Sequence, residues 1–271
     1  MTGIVALDPQ SPQNYHNQNH GSYRQHLIVF CDFDGPIVNV SNRYYATYKL
    51  SLSATQVVYQ TQGINLPIQM LSKKQFWEMK QNRVADVEIA MRSGLQGEQI
   101  DFFLERVSEI VNQSFLLQKD RLQPGASWAL ALLHSQGVKL VLVTLRCQLQ
   151  ATQILRNHGL TRLFVGIYGT ENQNTAYQNY TGVKTKLLKK AIADQAKITG
   201  YPLSAWMVGD TEADLLAAQE LSIPTIALTC GIRSQFYLQQ FQPTCIHSNL
   251  LAAAHYLLEN KPQPLELSLL H

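Results

Sequence analysis

The apolar run Leu27-Ile28-Val29-Phe30, closed by Cys31-Asp32-Phe33-Asp34-Gly35, constrains this chain more than any other stretch. A short apolar run ending in Gly reads as a strand buried on both faces that leads into a tight turn. In open α/β sheets, ligands bind beyond the carboxyl ends of such strands. Asp32 and Asp34 therefore stand where a substrate would. Carboxylates this close repel each other unless a cation or a shared proton compensates. A divalent metal with a phosphate beside it meets that requirement.

The rest of the sequence repeats the strand signal. Apolar runs over Lys139 to Thr144, Leu163 to Tyr168, Ala205 to Gly209, Pro224 to Leu228 and Thr244 to His247 predict strands. Helical patterns over Ala126 to Ser135, Gln148 to Asn157, Lys184 to Lys197, Glu212 to Leu221 and Leu250 to Leu258 fall between or after them. This alternation predicts an α/β fold, a Rossmann-like parallel sheet with helices on both faces. The stretch from Ile37 to Leu122 holds no convincing buried strand. It predicts helices over Arg43 to Ser51, Lys73 to Arg92 and Glu98 to Gln118. In the last of these, Ile100, Phe103, Leu104, Val107, Ile110, Val111 and Phe115 share one face. The expected division is a polar tail over 1–22, a core over 23–36 and 123–271, and a helical cap over 37–122, inserted after the first strand. The polar segment Asn172 to Gly182 reads as a surface loop.

Bulk properties exclude several classes. The 22 basic against 19 acidic residues give a net charge of +3, too weak to point to nucleic acid or an anionic membrane. Cys31, Cys147, Cys230 and Cys245 form no CxxC pair, so neither a zinc site nor a disulfide framework is expected. No apolar stretch approaches a membrane span, and the N-terminus lacks a charged region followed by an apolar one. A reducing cytoplasm is the expected location.

Polar residues recur at strand ends and helix starts: Asp32 and Asp34, then Thr144, then Lys184 or Lys186, then Asp210 with Asp214 one helical turn on. Each is weak alone. Asp34 before Gly also suits a turn cap, Thr144 a simple strand end, and Asp214 an acid favoured by a helix N-terminus. In this order, the set Asp32-Phe33-Asp34-Gly35, Thr144, Lys184 and Gly209-Asp210-Thr211-Glu212-Ala213-Asp214 resembles the haloacid dehalogenase-like superfamily. It is most similar to the phosphoglycolate phosphatase-like, capped phosphatases of that superfamily, over about residues 27 to 258.

The resemblance implies bound magnesium and an aspartyl-phosphate intermediate. Asp32 would be the nucleophile, and Asp34 would protonate the leaving oxygen and then activate water. Thr144 and Lys184 would hold the phosphoryl group. Asp32, Asp34, Asp210 and Asp214 would form the metal site. The expected partner is a small phosphate ester, and the expected reaction magnesium-dependent hydrolysis of a phosphate monoester. A phosphomutase of the same superfamily and a non-catalytic phosphate-binding module are the alternatives. The true dehalogenases of the superfamily lack the second aspartate, so Asp34 favours phosphoryl transfer.

Two features depart from the pattern. Pro36 follows Gly35, removing a backbone N–H at the start of the cap linker. Arg146 follows Thr144-Leu145, and reads equally as a surface arginine or as a cation that reaches a second anionic group on the substrate. In the cap, Arg43, Tyr44, Lys73, Lys74, Trp77, Lys80 and Arg83 are candidates for substrate contact. Lys80 and Arg83 read either as substrate ligands or as part of a solvated face.

Overall fold

Strands β1 (Leu27–Cys31), β4 (Lys139–Cys147), β5 (Phe164–Thr170), β6 (Ser204–Gly209), β7 (Thr225–Leu228) and β8 (Cys245–His247) form one parallel sheet. Their order is β5-β4-β1-β6-β7-β8. The computed structural model describes residues 27–171, 175–199 and 204–260. The polar tail expected over 1–22 lies outside them.

The burial of this sheet between two layers of helices follows from side chains that are apolar on both faces. Ile28, Phe30, Val141, Val143, Ala205 and Met207 pack on one side against Leu188, Ala191, Ile192, Ala217 and Ala218. Those partners come from helices α9 (Thr181–Thr199) and α10 (Glu212–Glu220). Leu27, Val29, Leu140, Leu142, Trp206 and Val208 face the other side. There they meet α6 (Ala126–Ser135), α7 (Gln148–Asn157) and α12 (Leu250–Glu259), which contribute Leu130, Leu133, Leu155, Ala253 and Leu257. Gly137, at φ +77°, follows the last turn of α6 and ends it. The four cysteines are free thiols.

Between β1 and α6 lie five helices and one short strand pair. The pair is antiparallel, β2 (Val38–Asn39) with β3 (Arg121–Leu122), where the sequence showed no strand. The helices are α1 (Ser41–Thr61), α2 (Lys73–Gln81), α3 (Asp86–Arg92), α4 (Glu98–Ile110) and α5 (Ser114–Leu117). A Ser72–Gln75 capping box starts α2. Tyr48, stacked on Phe76 at 4.9 Å, sits in the aromatic centre of this insertion with Tyr45 and Phe103.

Three expectations need correction here. The helix expected over Lys73 to Arg92 is two helices, because Arg83 adopts φ +59° between them. The helix expected over Glu98 to Gln118 breaks after Ile110, which turns Phe115 outward and Leu116 inward. The expected loop over Asn172 to Gly182 contains the short helix α8 (Thr175–Gln178) and the start of α9. Residues 172–174 of that loop are outside the described residues.

Candidate active site

The site forms where the chain crosses from one side of β1 to the other. β1 is flanked by β4 and β6, with Cys31 in register with Leu142 and Val208. Asp32 continues β1 by one residue, its N–H donating to the Val208 carbonyl at 2.9 Å. Asp210 follows β6, and Asp214 lies in the first turn of α10. Asp32, Asp210 and Asp214 thus converge, each buried, with carboxylate oxygens within 4.8 Å of one another.

Glycines make this convergence possible. A Cβ on Gly35 or on Gly231 would collide with the Asp210 carboxylate, and one on Gly209 with that of Asp214. Asp210 Oδ2 accepts from the Ile232 N–H at 2.5 Å, while its Oδ1 is buried with no hydrogen-bond partner. Asp214 divides its two oxygens. Oδ2 accepts from the N–H groups of Asp210 and Thr211 and from the Thr211 hydroxyl, capping α10. Oδ1 stands 2.7 Å from Lys184 Nζ. Asp214 therefore both caps α10 and faces Lys184.

Lys184, in the first turn of α9, is buried and donates to Asp32 Oδ1 at 2.7 Å and to the Val143 carbonyl at 3.0 Å. Lys186 is exposed on the same helix, which separates the two candidates. Three carboxylates face one ammonium here. Burial, then repulsion from Asp214, raises the Asp32 carboxyl to about 7. Burial and the charges of Asp32 and Asp214 push Asp210 well above the carboxylate range. A divalent cation would reverse both effects, and the partnerless Asp210 oxygen together with the all-oxygen donor set fits one.

Known proteins carry the same arrangement of strands. Residues 28–228 match the haloacid dehalogenase-like hydrolase family. The chain belongs to this family. It is 25% identical over 243 residues to the Dickeya dadantii protein named "Probable phosphatase IndB", covering 88% of this chain and 97% of that one. Among solved structures, a haloacid dehalogenase-like hydrolase of Streptococcus pneumoniae superposes with a TM-score of 0.59 at 21% identity, covering 86% of this chain and 98% of its own. A predicted phosphoglycolate phosphatase of Haemophilus somnus superposes with a TM-score of 0.58 at 19% identity, with the same coverage. Identities this low establish the fold alone.

The second aspartate of this family member sits in different company. Asp34 is outside the carboxylate triad among the described residues. Its Oδ2 accepts from Arg43 Nη2 at 3.1 Å, and its Oδ1 is 2.7 Å from Arg146 Nη2. Both arginines also reach Asp120: Arg43 Nε at 3.0 Å and Arg146 Nη2 at 2.6 Å. Two carboxylates and two guanidiniums thus alternate in a buried ring whose charges sum to zero. Arg146 is not a surface residue; its side chain is 1% exposed.

Thr144 is buried, its hydroxyl accepting from the Arg146 N–H at 3.1 Å. Asp32, Asp34, Thr144, Lys184 and Arg146 line one cavity, over which Tyr44 of α1 and Asn179 also lean. Its volume is about 20 Å³. That is room for one water, for which about 15 Å³ suffices.

The insertion meets the core beside this cavity. Lys80 Nζ pairs with Asp86 at 2.8 Å and lies over the Tyr177 ring, whose hydroxyl donates to Asp86 at 2.8 Å. Arg83 pairs with Glu212 at 2.8 Å, and Arg233 holds the same carboxylate at 2.8 Å while donating to the Lys80 carbonyl at 3.0 Å. Lys80 and Arg83 therefore spend their charge on neighbouring acids. Lys73 and Lys74 are exposed. Tyr177, expected in a plain surface loop, instead joins core to insertion, its ring 5.4 Å from that of Tyr44.

Sequence reasoning missed Asp120 and Gln123. Asp120 stands alone among polar residues just before β3, and no motif marks it. Gln123 Nε2 donates to the carbonyls of Gly35 at 2.8 Å and Cys230 at 2.9 Å, which ties the acidic turn to the loop after β7.

Proposed function

We propose that this protein is a magnesium-dependent phosphatase that hydrolyses a small phosphate monoester through an aspartyl-phosphate on Asp32. The observation that carries this reading is the convergence of Asp32, Asp210, Asp214 and Lys184 at the carboxyl ends of β1 and β6. The family match and the name of the Dickeya dadantii relative support it.

Asp32, Asp210 and Asp214 would hold the ion, which supplies positive charge that keeps the carboxylates ionised and draws the phosphoryl group in. Lys184 pairs with Asp32 Oδ1, which leaves Oδ2 as the oxygen that attacks phosphorus. The Thr144 hydroxyl, whose oxygen is held by the Arg146 N–H, donates to a phosphoryl oxygen. Lys184 takes up charge as it spreads over the phosphoryl oxygens. Asp34 protonates the leaving alcohol and then takes a proton from the water that cleaves the aspartyl-phosphate. The helical cap over 37–122, docked through Tyr177 and Glu212, excludes bulk water while this occurs. The cytoplasm is the proposed location.

Phosphate release from a panel of phosphate monoesters, with and without magnesium, tests the reading in wild type and Asp32→Asn. Release that needs both the ion and Asp32 is expected. Isomerisation of a sugar phosphate without release would favour a mutase, and binding without turnover a non-catalytic module.

A further inference from the structure

Two arginines meet Asp34, and they are not equivalent. Every nitrogen of Arg43 is engaged: Nε with Asp120, Nη1 with the Val111 carbonyl and Asn112 Oδ1, and Nη2 with Asp34. Arg146 commits only Nη2, to Asp34 and Asp120. Its Nε and Nη1 are buried with no partner, yet the residue lines the cavity above Asp32 and Thr144. A buried donor left unpaired is costly, and more so when charged. A ligand that supplies acceptors there recovers that cost.

The place of these donors says which part of a substrate would meet them. The phosphoryl group is already matched by Lys184 and Thr144 in the proposed reaction. Arg146 touches Asp34, the group assigned to the leaving oxygen, through Nη2 and lines the same cavity, which places its guanidinium beside the alcohol portion of the ester. An acceptor there is best matched to a guanidinium when it is anionic.

We propose that Arg146 is a specificity-determining residue that binds a second anionic group, a carboxylate or another phosphoryl, carried by the alcohol portion of the phosphate monoester. Arg43 and Asp120 act as positioning residues that fix its guanidinium. This inference rests on the phosphatase reading of the site.

Matched esters test it. Wild type and Arg146→Gln are compared on 3-phosphoglycerate against glycerol 3-phosphate, and on glucose 1,6-bisphosphate against glucose 6-phosphate. Wild type is expected to favour the doubly anionic member of at least one pair by about tenfold or more in kcat/KM. The first pair reports a carboxylate and the second a phosphoryl. Arg146→Gln is expected to bring that ratio close to one by raising KM for the anionic member. Its effect on the member that lacks the second anionic group is confined to kcat, through Asp34. Should Arg146→Gln fail to fold, Arg146→Lys is read in the same way, with the preference expected to fall at least about threefold.

Wild type without preference in either pair overturns the proposal. So does a preference that survives substitution, which would leave Arg146 a positioning residue only. Equilibrium binding of the same esters to Asp32→Asn, with and without the Arg146 substitution, gives a readout independent of turnover. If no ester is hydrolysed but the binding preference tracks Arg146, the phosphatase reading fails and the anion subsite stands.

Discussion

Two buried charge clusters lie side by side in this protein and are built on opposite principles. The Asp32–Asp210–Asp214 cluster has three carboxylates and one ammonium, and is left two charges short of neutrality. The Asp34–Arg43–Asp120–Arg146 cluster has two of each sign and is complete. The first is unbalanced in a way that a divalent cation corrects. The second balances itself, and the spare donors of Arg146 are its one open face. The difference teaches how one pocket keeps two aspartates, two residues apart, in separate roles. Asp32 looks toward the core and the carboxylates of Asp210 and Asp214, and Asp34 looks toward the insertion and its arginines.

The largest expected effect separates the clusters at the chemical step. Asp32→Asn is expected to lower phosphate release at least about a thousandfold with the fold intact, read by steady-state kinetics and circular dichroism. Residual activity near wild type would remove the division of roles.

Asp120→Asn probes the balanced cluster from a residue that lies outside the cavity lining. Taking one partner from a buried ion pair costs about 3–5 kcal/mol. A lowered thermal midpoint and a fall in kcat greater than any rise in KM are expected. An unchanged midpoint would mean that the ring is not the support described here.

A divalent cation at the triad would sharpen the comparison through pH. In the chelated protein, Asp32 titrates near 7 when folded and in the ordinary carboxylate range when unfolded. The unfolded chain therefore loses its proton first as pH rises, and stability falls between those values. Asp86 shifts the other way: despite burial, Lys80 holds it below the carboxylate range. Its contribution is present above its unfolded pKa and is lost as pH falls through the lower, folded value. Thermal midpoints across pH, with chelator and with magnesium, are expected to show the neutral-side loss only with chelator. At a hundredfold excess over Kd, the ion would add about 2.7 kcal/mol. The same neutral-side loss in both conditions would argue that no divalent cation binds at the triad.

The smallest effect is expected at the edge of the insertion. Arg83 is 41% exposed on its side chain, so its pair with Glu212 contributes about 1 kcal/mol or less. Arg83→Ala is expected to change kcat/KM only a few fold. A collapse of activity would place Arg83 in the substrate site after all.

The unbalanced cluster was legible in the sequence and the balanced one was not. Asp32, Asp210 and Lys184 follow or precede elements whose apolar runs are distinct, so their positions at one sheet edge follow from topology. Asp34–Arg43 is close in sequence, but Asp120 lies 77 residues from Arg43, and the packing of α1 against α5, just before Asp120, brings them together. Arg146 looked like an even choice between surface and site because nothing local reports its burial. The helix break at Arg83 was hidden for a similar reason, since a left-handed backbone at a non-glycine residue leaves no compositional mark. Helix α1 runs on to Thr61 through Ser, Thr and Gln residues of modest propensity, because Tyr44, Tyr48, Leu52 and Thr55 bury one face.

In the proposed reaction Asp32 carries the phosphoryl group while Asp34 handles protons. Asp34→Asn reacted with an aryl phosphate, whose leaving group needs no acid, separates the two steps. Rapid acid quenching and peptide mass spectrometry are then expected to find the phosphoryl group on Asp32, accumulated because its hydrolysis lacks a base. Turnover with Asp32 unmodified, or a phosphoryl group on another residue, would contradict the account.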